Sequence, residues 1–505
     1  MRAIWIVPVI VSILILGTLG ISQDAFAFTQ GVCNQTIIEN VTLTADILNC
    51  SGNALNIRAD FITLDCDGHT LTGIGPGSNG IVIIGRTEVT VTNCHVSNFS
   101  LGFLLLSSSN NTLSDNTAND NTFTGFELRS SSSNTLKDNT ASDNRNTGFH
   151  LRDDSNSNVL ESNTANNHNS QSFSAGFLLG SSSDGNTLRN NMADNNIRGF
   201  LLSRSNSNNL EGNTATNNRV MGFVLSTSSN SNNLESNTAT NNGQAGFRLF
   251  DSDNNNLKSN TSNNNGSFGF SIVFSDNNTL EDNTFSNNPL GIRLIGTSGN
   301  TVFHNNIIAN TRQASASDPT LDDWHDPVLL EGNFWSDYLG VDDGSGAGKH
   351  AIAGDGIGDT QIPFPRANFD NFPFVEENGW KVLSVDIDIK PGSDLNCINT
   401  KNKGLTPIAI LGSVDFDVTT IDQTTLEIDD DGDSSTAGVS PTRTSIKDVN
   451  GDGFDDLNLK FATTALLGAG LLVDENELFI TGETDSTAIV GSDIINLAGG
   501  PNCFD

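Results

Sequence analysis

The sequence predicts an all-β protein, with a right-handed parallel β-helix of about 23 residues per coil followed by a small β-sandwich-like C-terminal domain. A Gly-Phe pair recurs at nearly constant spacing, and a short fixed period is typical of stacked solenoid units. Apolar residues alternate with period 2 in short runs, as in strands, and the intervening Gly and Asn would break helices. The repeated phenylalanines are Phe103, Phe126, Phe149, Phe177, Phe200, Phe223, Phe247 and Phe270, with Ile292 in the next place.

Each repeat carries the same further set of positions. In one unit, Phe126 and Leu128 point to the same side of a strand, and Leu136, Asn139 and Ala141 follow. The leucine position is filled by Leu113, Leu136, Leu160, Leu188, Leu210, Leu234, Leu257, Leu280 and Val302. The Asn position is filled by Asn116, Asn139, Asn163, Asn191, Asn213, Asn237, Asn260, Asn283 and Asn305. A small or apolar residue comes two positions after each Asn, and the spacing of leucine-rich repeats is absent.

The repeated Asn predicts a ladder of stacked amides along the rod. Asn tolerates the left-handed backbone that a tight corner needs, and its amide can donate and accept from coil to coil. The alternative is that Asn is merely abundant in turns, but its return at one position of every unit favours the ladder. With strands about 4.8 Å apart, nine regular coils plus two or three looser ones predict a rod roughly 50–60 Å long.

Four regions are expected along the chain. Residues 1–27 have a basic start, an apolar run and an Ala-Phe-Ala site, which predict a secretory signal peptide. An uncleaved membrane anchor is the alternative, and either way the remainder lies outside the cytoplasm, with no further transmembrane segment. Residues 28–311 form the β-helix, and 312–380 form a cap, an Asp/Gly loop and a Pro-rich connector. Residues 381–505 form a calcium-binding β domain.

Composition narrows the cellular context and the partners. Six cysteines fit an oxidising compartment. Of fifteen possible pairings, neighbours along the chain predict Cys33–Cys50, Cys66–Cys94 and Cys397–Cys503. A net charge of −35 argues against nucleic acid as a partner. The charge suits a protein that binds cations, and an acidic solvated surface is an equally good interpretation.

Two motifs carry a resemblance to known families. Residues 332–338 read Gly-Asn-Phe-Trp-Ser-Asp-Tyr and residues 354–359 read Gly-Asp-Gly-Ile-Gly-Asp. This resembles the ending of the NosD-type β-helix family, whose repeats are of the carbohydrate-binding and sugar-hydrolase type, with Phe334 in place of the family's Tyr. The resemblance covers roughly residues 30–370 and implies a right-handed β-helix. NosD is linked to copper-site maturation, but this chain has three Met and no His cluster, so that role is not expected here. Residues 385–393 resemble a C-terminal module of many secreted archaeal and bacterial proteins.

The strongest predicted metal site is a structural calcium loop over residues 448–456. Oxygen side chains at positions 1, 3, 5 and 9, with Gly at position 6, are what a calcium loop needs. The ligands would be Asp448, Asn450, Asp452 and Asp456, with the carbonyl of Phe454. The alternative is a solvated Asp/Gly turn. Residues 429–433 are a weaker second lobe.

A second calcium candidate lies after the NosD-like motif. Glycine would let this loop wrap an ion, and the aspartates would supply the oxygens. They are Asp337, Asp342, Asp343, Asp355 and Asp359. The alternative is a rigid end cap in which Trp324, Trp335 and Tyr338 pack on the last coil, and both interpretations can hold together.

One cluster on the rod has residue types that acid–base chemistry on a uronate would need. Stacking is expected to bring together Glu127, Arg129, His150, Arg152, Asp153 and Asp154. Surface ion pairs are the favoured interpretation. The run 322–327 is a fainter catalytic candidate, and no residue is assigned as catalytic.

Two functions follow as hypotheses. The first is a secreted or cell-surface, non-enzymatic β-helix that binds carbohydrate or cell-envelope polymer and carries structural calcium. The second is a polysaccharide-active enzyme, a lyase, hydrolase or epimerase, acting on acidic glycans.

Overall fold

The computed structural model describes most of the chain after the predicted signal peptide, which itself lies outside the described residues. The described residues are 28–170, 174–317, 321–346, 356–360, 362–363, 369–393, 395–401, 403–430, 438–484, 487–499 and 503. Within these ranges no helix has the length and apolar character needed to cross a bilayer.

The rod consists of three parallel sheets, and each coil gives one strand to each sheet. The first sheet contains the Gly-Phe strands and has thirteen described members. They are Gln35–Ile37, Leu55–Ile57, Asn79–Ile84, Leu101–Leu106, Thr124–Arg129, Thr147–Arg152, Ala175–Gly180, Arg198–Ser203, Met221–Ser226, Ala245–Phe250, Phe268–Val273, Leu290–Ile295 and Arg312–Ala316.

The second and third sheets are built from shorter strands. The second contains Val41–Thr42, Thr63–Asp65, Thr90–Thr92, Thr112–Ser114, Thr135–Lys137, Val159–Glu161, Thr187–Arg189, Asn209–Glu211, Asn233–Glu235, Asn256–Lys258, Thr279–Glu281 and Thr301–Phe303. The third contains Ile47–Cys50, Thr70–Gly73, His95–Ser97, Thr117–Asn119, Thr140–Ser142, Thr164–Asn166, Met192–Asp194, Thr214–Thr216, Thr238–Thr240, Thr261–Asn263, Thr284–Ser286, Asn306–Ile308 and Phe334–Trp335. The predicted β-helix of about 23 residues per coil is confirmed.

Like residues stack because the strands pair in register. The ring centroids of successive phenylalanines from Phe103 to Phe270 are 4.4–4.9 Å apart, and their planes are nearly parallel over most of the column. All these rings are fully buried, so each one is worth several kcal/mol of transfer and packing energy. The Gly before each Phe has a steric cause. A Cβ on Gly125 would lie 2.8 Å from the Gly148 carbonyl oxygen and 3.0 Å from the Ala141 methyl.

The predicted Asn ladder is present. The side-chain Nδ2 of Asn191 donates to Oδ1 of Asn213, and that of Asn213 donates to Oδ1 of Asn237, each at 3.0 Å. The same oxygens also accept a backbone N–H from the coil before. Each Nδ2 makes a second bond to a backbone carbonyl, so the buried amides are well satisfied.

Two further ladders occupy the other corners, and these were not predicted. One precedes the second sheet and contains Asn111, Asn134, Asn158, Asn186, Asn208, Asn232, Asn255, Asn278 and Asn300. The other follows the third sheet and contains Asn121, Asn144, His168, Asn196, Asn218, Asn242, Asn265, Asn288 and Asn310.

The expected backbone reason for the ladder was wrong. The ladder Asn residues are not in the left-handed region; the residue just before each one is, as with Asp115 (φ 57°) before Asn116 and Asp138 (φ 54°) before Asn139. The preceding residue makes the turn at the corner, and the ladder Asn then points its amide inward.

The rod continues beyond residue 311, where the sequence repeat ends. The strand Arg312–Ala316 pairs with Leu290–Ile295, and Phe334–Trp335 pairs with Asn306–Ile308. Trp324 and Trp335 are buried in the rod core, and Tyr338 packs against it. The NosD-like motif therefore supplies the last partial coil, whose Asn333 is the final rung of the predicted ladder.

The C-terminal domain is a separate β fold with one hydrophobic core. One sheet contains Val382–Ser384, Cys397–Ile398, Ile421–Asp429, Asn476–Thr484 and Ala488–Leu497. The other contains Ile387–Ile389, Leu405–Ile410, Arg443–Ile446 and Leu457–Ala462. A 3-10 turn, Val418–Thr420, and a short helix, Thr463–Gly468, connect strands, and the preceding connector contains the small pair Ile362–Pro363 and Phe369–Asp370.

All three predicted disulfides are present. Cys33–Cys50 and Cys66–Cys94 lie in the first coils of the rod, and Cys397–Cys503 lies in the C-terminal domain. No described cysteine is free.

Candidate functional site

The outer face of the first sheet is the surface on which side chains from many coils line up. On each Gly-Phe strand, the Phe and the residue two positions later point into the core. The residue two before the Phe, the one after it and the one three after it point outward. In register these positions form three rows along the rod.

A groove crosses three coils of this face, and we name it the arginine groove. Its volume is about 260 Å³. It is lined by Arg198, Leu201, Ser203, Met221, Val224, Ser226, Thr227, Arg248 and Phe250. Leu201, Met221 and Val224 form its apolar floor together with neighbouring alanines. The groove therefore combines an apolar base with cationic and hydroxyl groups at its sides.

The arginines of the groove are partly desolvated and lie close to one another. Burial lowers the pKa of Arg198, and the nearby Arg248 charge lowers it further. Burial likewise lowers the pKa of Arg248, and Arg293 two coils on acts in the same direction. Like charges repel in this way unless an anion lies between them.

Aromatic rings hold two of these guanidinium groups. The guanidinium of Arg248 lies 5.4 Å from the ring centre of Phe250, and that of Arg293 lies 5.0 Å from the ring centre of Phe268. A guanidinium placed over a ring in this way is attracted by the ring's quadrupole. Its edge N–H groups stay available for bidentate bonds.

The predicted cluster on the earlier coils is also brought together, but as an ion-pair network. Glu127 is buried, and it accepts from Arg129 at 2.6 Å and from Arg152 at 3.0 Å. Asp153 lies 3.9 Å from both arginines. The two positive charges of Arg129 and Arg152 are therefore balanced by the two negative charges of Glu127 and Asp153.

His150 lies in the same network, on the strand beside Glu127. Burial lowers the pKa of its imidazole, while the charges of Glu127 and Asp153 act in the opposite direction. A neutral imidazole next to a carboxylate is a possible base in chemical terms. Asp154 lies at the following turn with a left-handed backbone.

The predicted calcium loop 448–456 connects the strands Arg443–Ile446 and Leu457–Ala462. In residues 448–454, side-chain oxygens accept hydrogen bonds from backbone N–H groups of the same loop. Asp448 accepts the amides of two loop glycines, Asn450 accepts that of Asp452, and Asp452 accepts that of Phe454. These three side chains thus lie on one partly exposed loop, as a cation would require.

Asp456 holds the base of that loop. It is fully buried and accepts the amides of Gly412 at 2.9 Å and Val449 at 2.7 Å. Its oxygens therefore fasten the loop to the adjacent strand. Of the weaker lobe 429–433, Asp429 ends a strand and residues 431–433 lie outside the described residues.

In the second calcium candidate, Asp359 organises the loop. Its Oδ2 accepts the amides of Asp343 at 2.9 Å and Ser345 at 3.1 Å, and the bond to Asp343 lowers its pKa. Its Oδ1 is buried with no hydrogen-bond partner among the described residues. Asp342 accepts the amide of Gly356 at 2.8 Å, Asp337 is exposed, and Asp355 lies outside the described residues.

Neither loop presents a group of three or more His, Cys, Asp or Glu side chains arranged for a metal, as far as the described residues extend. Asn side chains and carbonyl oxygens would have to complete either ligand set. Calcium therefore stays a prediction at both places.

Sequence reasoning missed the buried carboxylate that ends the rod. Asp370 accepts the backbone and side-chain N–H groups of Asn333 at 2.7 and 3.1 Å, and Nε1 of Trp335 at 2.8 Å. Burial raises its pKa to about 6. A Cβ on Gly332 would lie 1.8 Å from its Oδ1, which explains that glycine. Asp370 lies in the Pro-rich connector, where no repeat pattern marks it.

Two family models match residues of the rod. A right-handed β-helix region matches residues 31–193 and 79–239, and the family described as periplasmic copper-binding protein (NosD) matches residues 167–340. The rod is a right-handed β-helix.

The chain is similar to several solved structures at low identity. The mannuronan C-5 epimerase AlgE4 A-module of Azotobacter vinelandii is 16% identical with a TM-score of 0.47, covering 56% of this chain and 90% of its own. The periplasmic alginate epimerase AlgG is 16% identical with a TM-score of 0.42, covering 57% and 83%. The catalytic domain of a GH87 α-1,3-glucanase in complex with nigerose is 13% identical with a TM-score of 0.34, covering 57% and 63%. No curated protein sequence matches the chain.

Proposed function

We propose that this is a secreted or cell-surface β-helix protein that binds a polysaccharide or other cell-envelope polymer along the outer face of the first sheet, without cleaving it. The observation that carries the proposal is the arginine groove, which is open and runs across the coils. An elongated ligand can follow such a groove from coil to coil, whereas a closed pocket would suit a small molecule.

The lining of the groove suits a sugar chain. Hydroxyl groups of Ser203, Ser226 and Thr227 border it and can exchange hydrogen bonds with sugar hydroxyls. Phe250 is 37% exposed at its edge and offers an apolar face for the C–H side of a pyranose ring. Leu201 and Val224 extend that apolar surface along the floor.

A location outside the cytoplasm is supported by the disulfides. All six cysteines pair, and structural disulfides persist in oxidising compartments. The description of the NosD family as periplasmic agrees with this location. The copper function is not extended to this chain. Residues 167–340 contain three histidines: His168 is buried in a ladder, His304 binds Glu331 at 2.8 Å, and the ring of His325 packs edge-on against that of Phe372 at 5.0 Å.

The second candidate is an enzyme on acidic glycans, and the observation that favours it is His150. Burial lowers the pKa of its imidazole, which favours the unprotonated form that a general base needs. Against this, both nearby arginines are already bound to Glu127, so neither is available to neutralise a substrate carboxylate. Binding without turnover is therefore the better account.

The test is a binding and turnover screen of the secreted form on neutral and acidic polysaccharides. Binding that falls on Phe250→Ala, with no new reducing or unsaturated ends, supports the proposal. Phe61→Ala is the control, because Phe61 is exposed on another part of the rod. Turnover that disappears in His150→Ala would replace the proposal with the enzyme, and failure to bind any polymer would remove it.

Structural calcium is proposed for residues 448–456, where Asp448, Asn450, Asp452 and Asp456 would be ligands with the Phe454 carbonyl. A second ion is proposed at Asp359, whose buried Oδ1 lacks a partner among the described residues. Cations would also offset part of the net charge of −35.

A further inference from the structure

We infer that the arginine groove selects an acidic polysaccharide, whose carboxylate or sulfate groups bind the guanidinium group of Arg248 in the groove and that of Arg293 beyond it, on the same row two coils further on. This inference rests on the proposed function and adds the chemical class of the ligand.

The first support is a local reversal of charge. The chain has 59 acidic and 24 basic residues. Yet the outward positions of the strands from Ala175–Gly180 to Arg312–Ala316 contain four arginines and no carboxylate. These arginines are Arg198, Arg248, Arg293 and Arg312. A cationic face on so acidic a protein would attract anions while the rest of the surface repels them.

The second support is that no salt bridge within the described part of the chain neutralises Arg248 or Arg293. Salt bridges between described residues engage Arg129, Arg152 and Arg189, but none engages Arg248 or Arg293. The positive charge of Arg293 acts on Arg248 and, after burial, contributes to the lowering of its pKa. An anionic group at each guanidinium would offset that repulsion with an attraction, and partial burial of Arg248 would strengthen it there.

The third support is the spacing and orientation of the guanidinium groups. Arg248 and Arg293 occupy the same row, two coils apart, which is roughly 10 Å along the rod at the usual strand spacing. Each one is held over an aromatic ring, so its planar fork is oriented in advance. A single small anion could not reach both, whereas a polymer with repeated anionic groups could.

The apolar floor distinguishes a sugar polymer from other polyanions. Leu201, Met221 and Val224 would lie under the ligand between the cationic positions. A pyranose ring has an apolar C–H face to cover them. Duplex DNA would instead present its charged backbone to this apolar floor.

The experiment measures binding of the full chain to a polyuronate, a sulfated polysaccharide and a neutral glucan of similar length, at two salt concentrations. The variants are Arg248→Gln, Arg293→Gln and both together. Each loses a charge-assisted hydrogen bond, so we expect about a tenfold weaker binding of the acidic polymer per substitution, with unchanged binding of the glucan. Arg189→Gln is the matched control, because Arg189 lies on the second sheet and pairs with Glu161 at 2.9 Å.

The outcomes separate the inference from the proposed function. The inference is supported if the protein prefers either acidic polymer, and if salt, Arg248→Gln and Arg293→Gln weaken that binding but Arg189→Gln does not. Comparison of the polyuronate with the sulfated polysaccharide identifies the anion. Equal binding of acidic and neutral polymers, unaffected by the variants, overturns it and leaves the proposed function standing. Binding of DNA with the same arginine dependence also overturns it. No binding of any polymer removes both.

Discussion

The substitution His168→Asn should change how the stability of the rod depends on pH. His168 replaces Asn in the ladder that follows the third sheet, where its backbone N–H donates to Oδ1 of Asn196 at 2.9 Å. Its two ring nitrogens lie 3.0 and 3.2 Å from the carbonyl oxygens of Asn144 and Ala141. A neutral imidazole can donate to only one of these two carbonyl oxygens. In addition, His168 has no amide oxygen to accept from Asn144, so the ladder of side-chain bonds is interrupted at this coil.

The magnitude follows from the buried ring. Burial lowers the pKa of His168 from 6.5 to about 4. Because the unfolded chain binds the proton more readily, protonation favours unfolding. Stability is therefore complete above pH 6.5 and is lost as pH falls towards 4. A shift of this size corresponds to about 3 kcal/mol between the two ends of the window.

The assay is urea unfolding of the wild-type protein and of His168→Asn at pH 7 and pH 4, followed by circular dichroism. The variant's gain in unfolding free energy over the wild type should be about 3 kcal/mol larger at pH 4 than at pH 7. His95→Asn is the control, because His95 is exposed on the third sheet. An equal difference between variant and wild type at both pH values would refute the reasoning.

Three further outcomes are expected. Asp370→Asn should abolish a pH effect of the opposite sign. Because burial raises the pKa of Asp370 from 3.8 to about 6, its contribution to stability is complete below pH 3.8, and about 3 kcal/mol is lost as pH rises through 6. Urea unfolding of the wild-type protein and the variant across that pH range would detect the loss. Phe200→Ala should lower the unfolding free energy by about 3–5 kcal/mol, whereas Phe274→Ala, at an exposed site, should change it by less than about 1 kcal/mol; equal losses would contradict the stacked core. Calcium should raise the melting temperature of the full chain, chelation should lower it, and Asp452→Ala should remove the part due to loop 448–456; no response to chelator would exclude structural calcium.

The sequence predicted the rod well because its physics is local and repeated. The Phe column, the first Asn ladder and the coil length all follow from one period, since residues one coil apart must stack when strands pair in register. The two disulfides of the rod could be predicted for a similar reason, because each of them joins segments that are close in the sequence. The other two ladders carry an equally regular Asn signal and could have been found from it.

The candidate site could be predicted only in part. The charged cluster around Glu127 was found because its members lie on adjacent coils at the positions after each Phe. The arginine groove was missed although Arg248 also follows its Phe, because its partners are not on adjacent coils: Arg198 is two positions before its Phe and two coils away, and Arg293 is two coils away in the other direction.

The sequence by itself determined the winding of the chain, because residues that are one repeat apart become neighbours when the coils stack in register. Only the tertiary structure decided which charges are cancelled and which are not. Glu127 binds two arginines, whereas Arg248 is acted on by the like charge of Arg293, and Asp370 becomes buried against Asn333. Those facts depend on distances between side chains that no period specifies, and charge–charge energies change steeply with distance and burial.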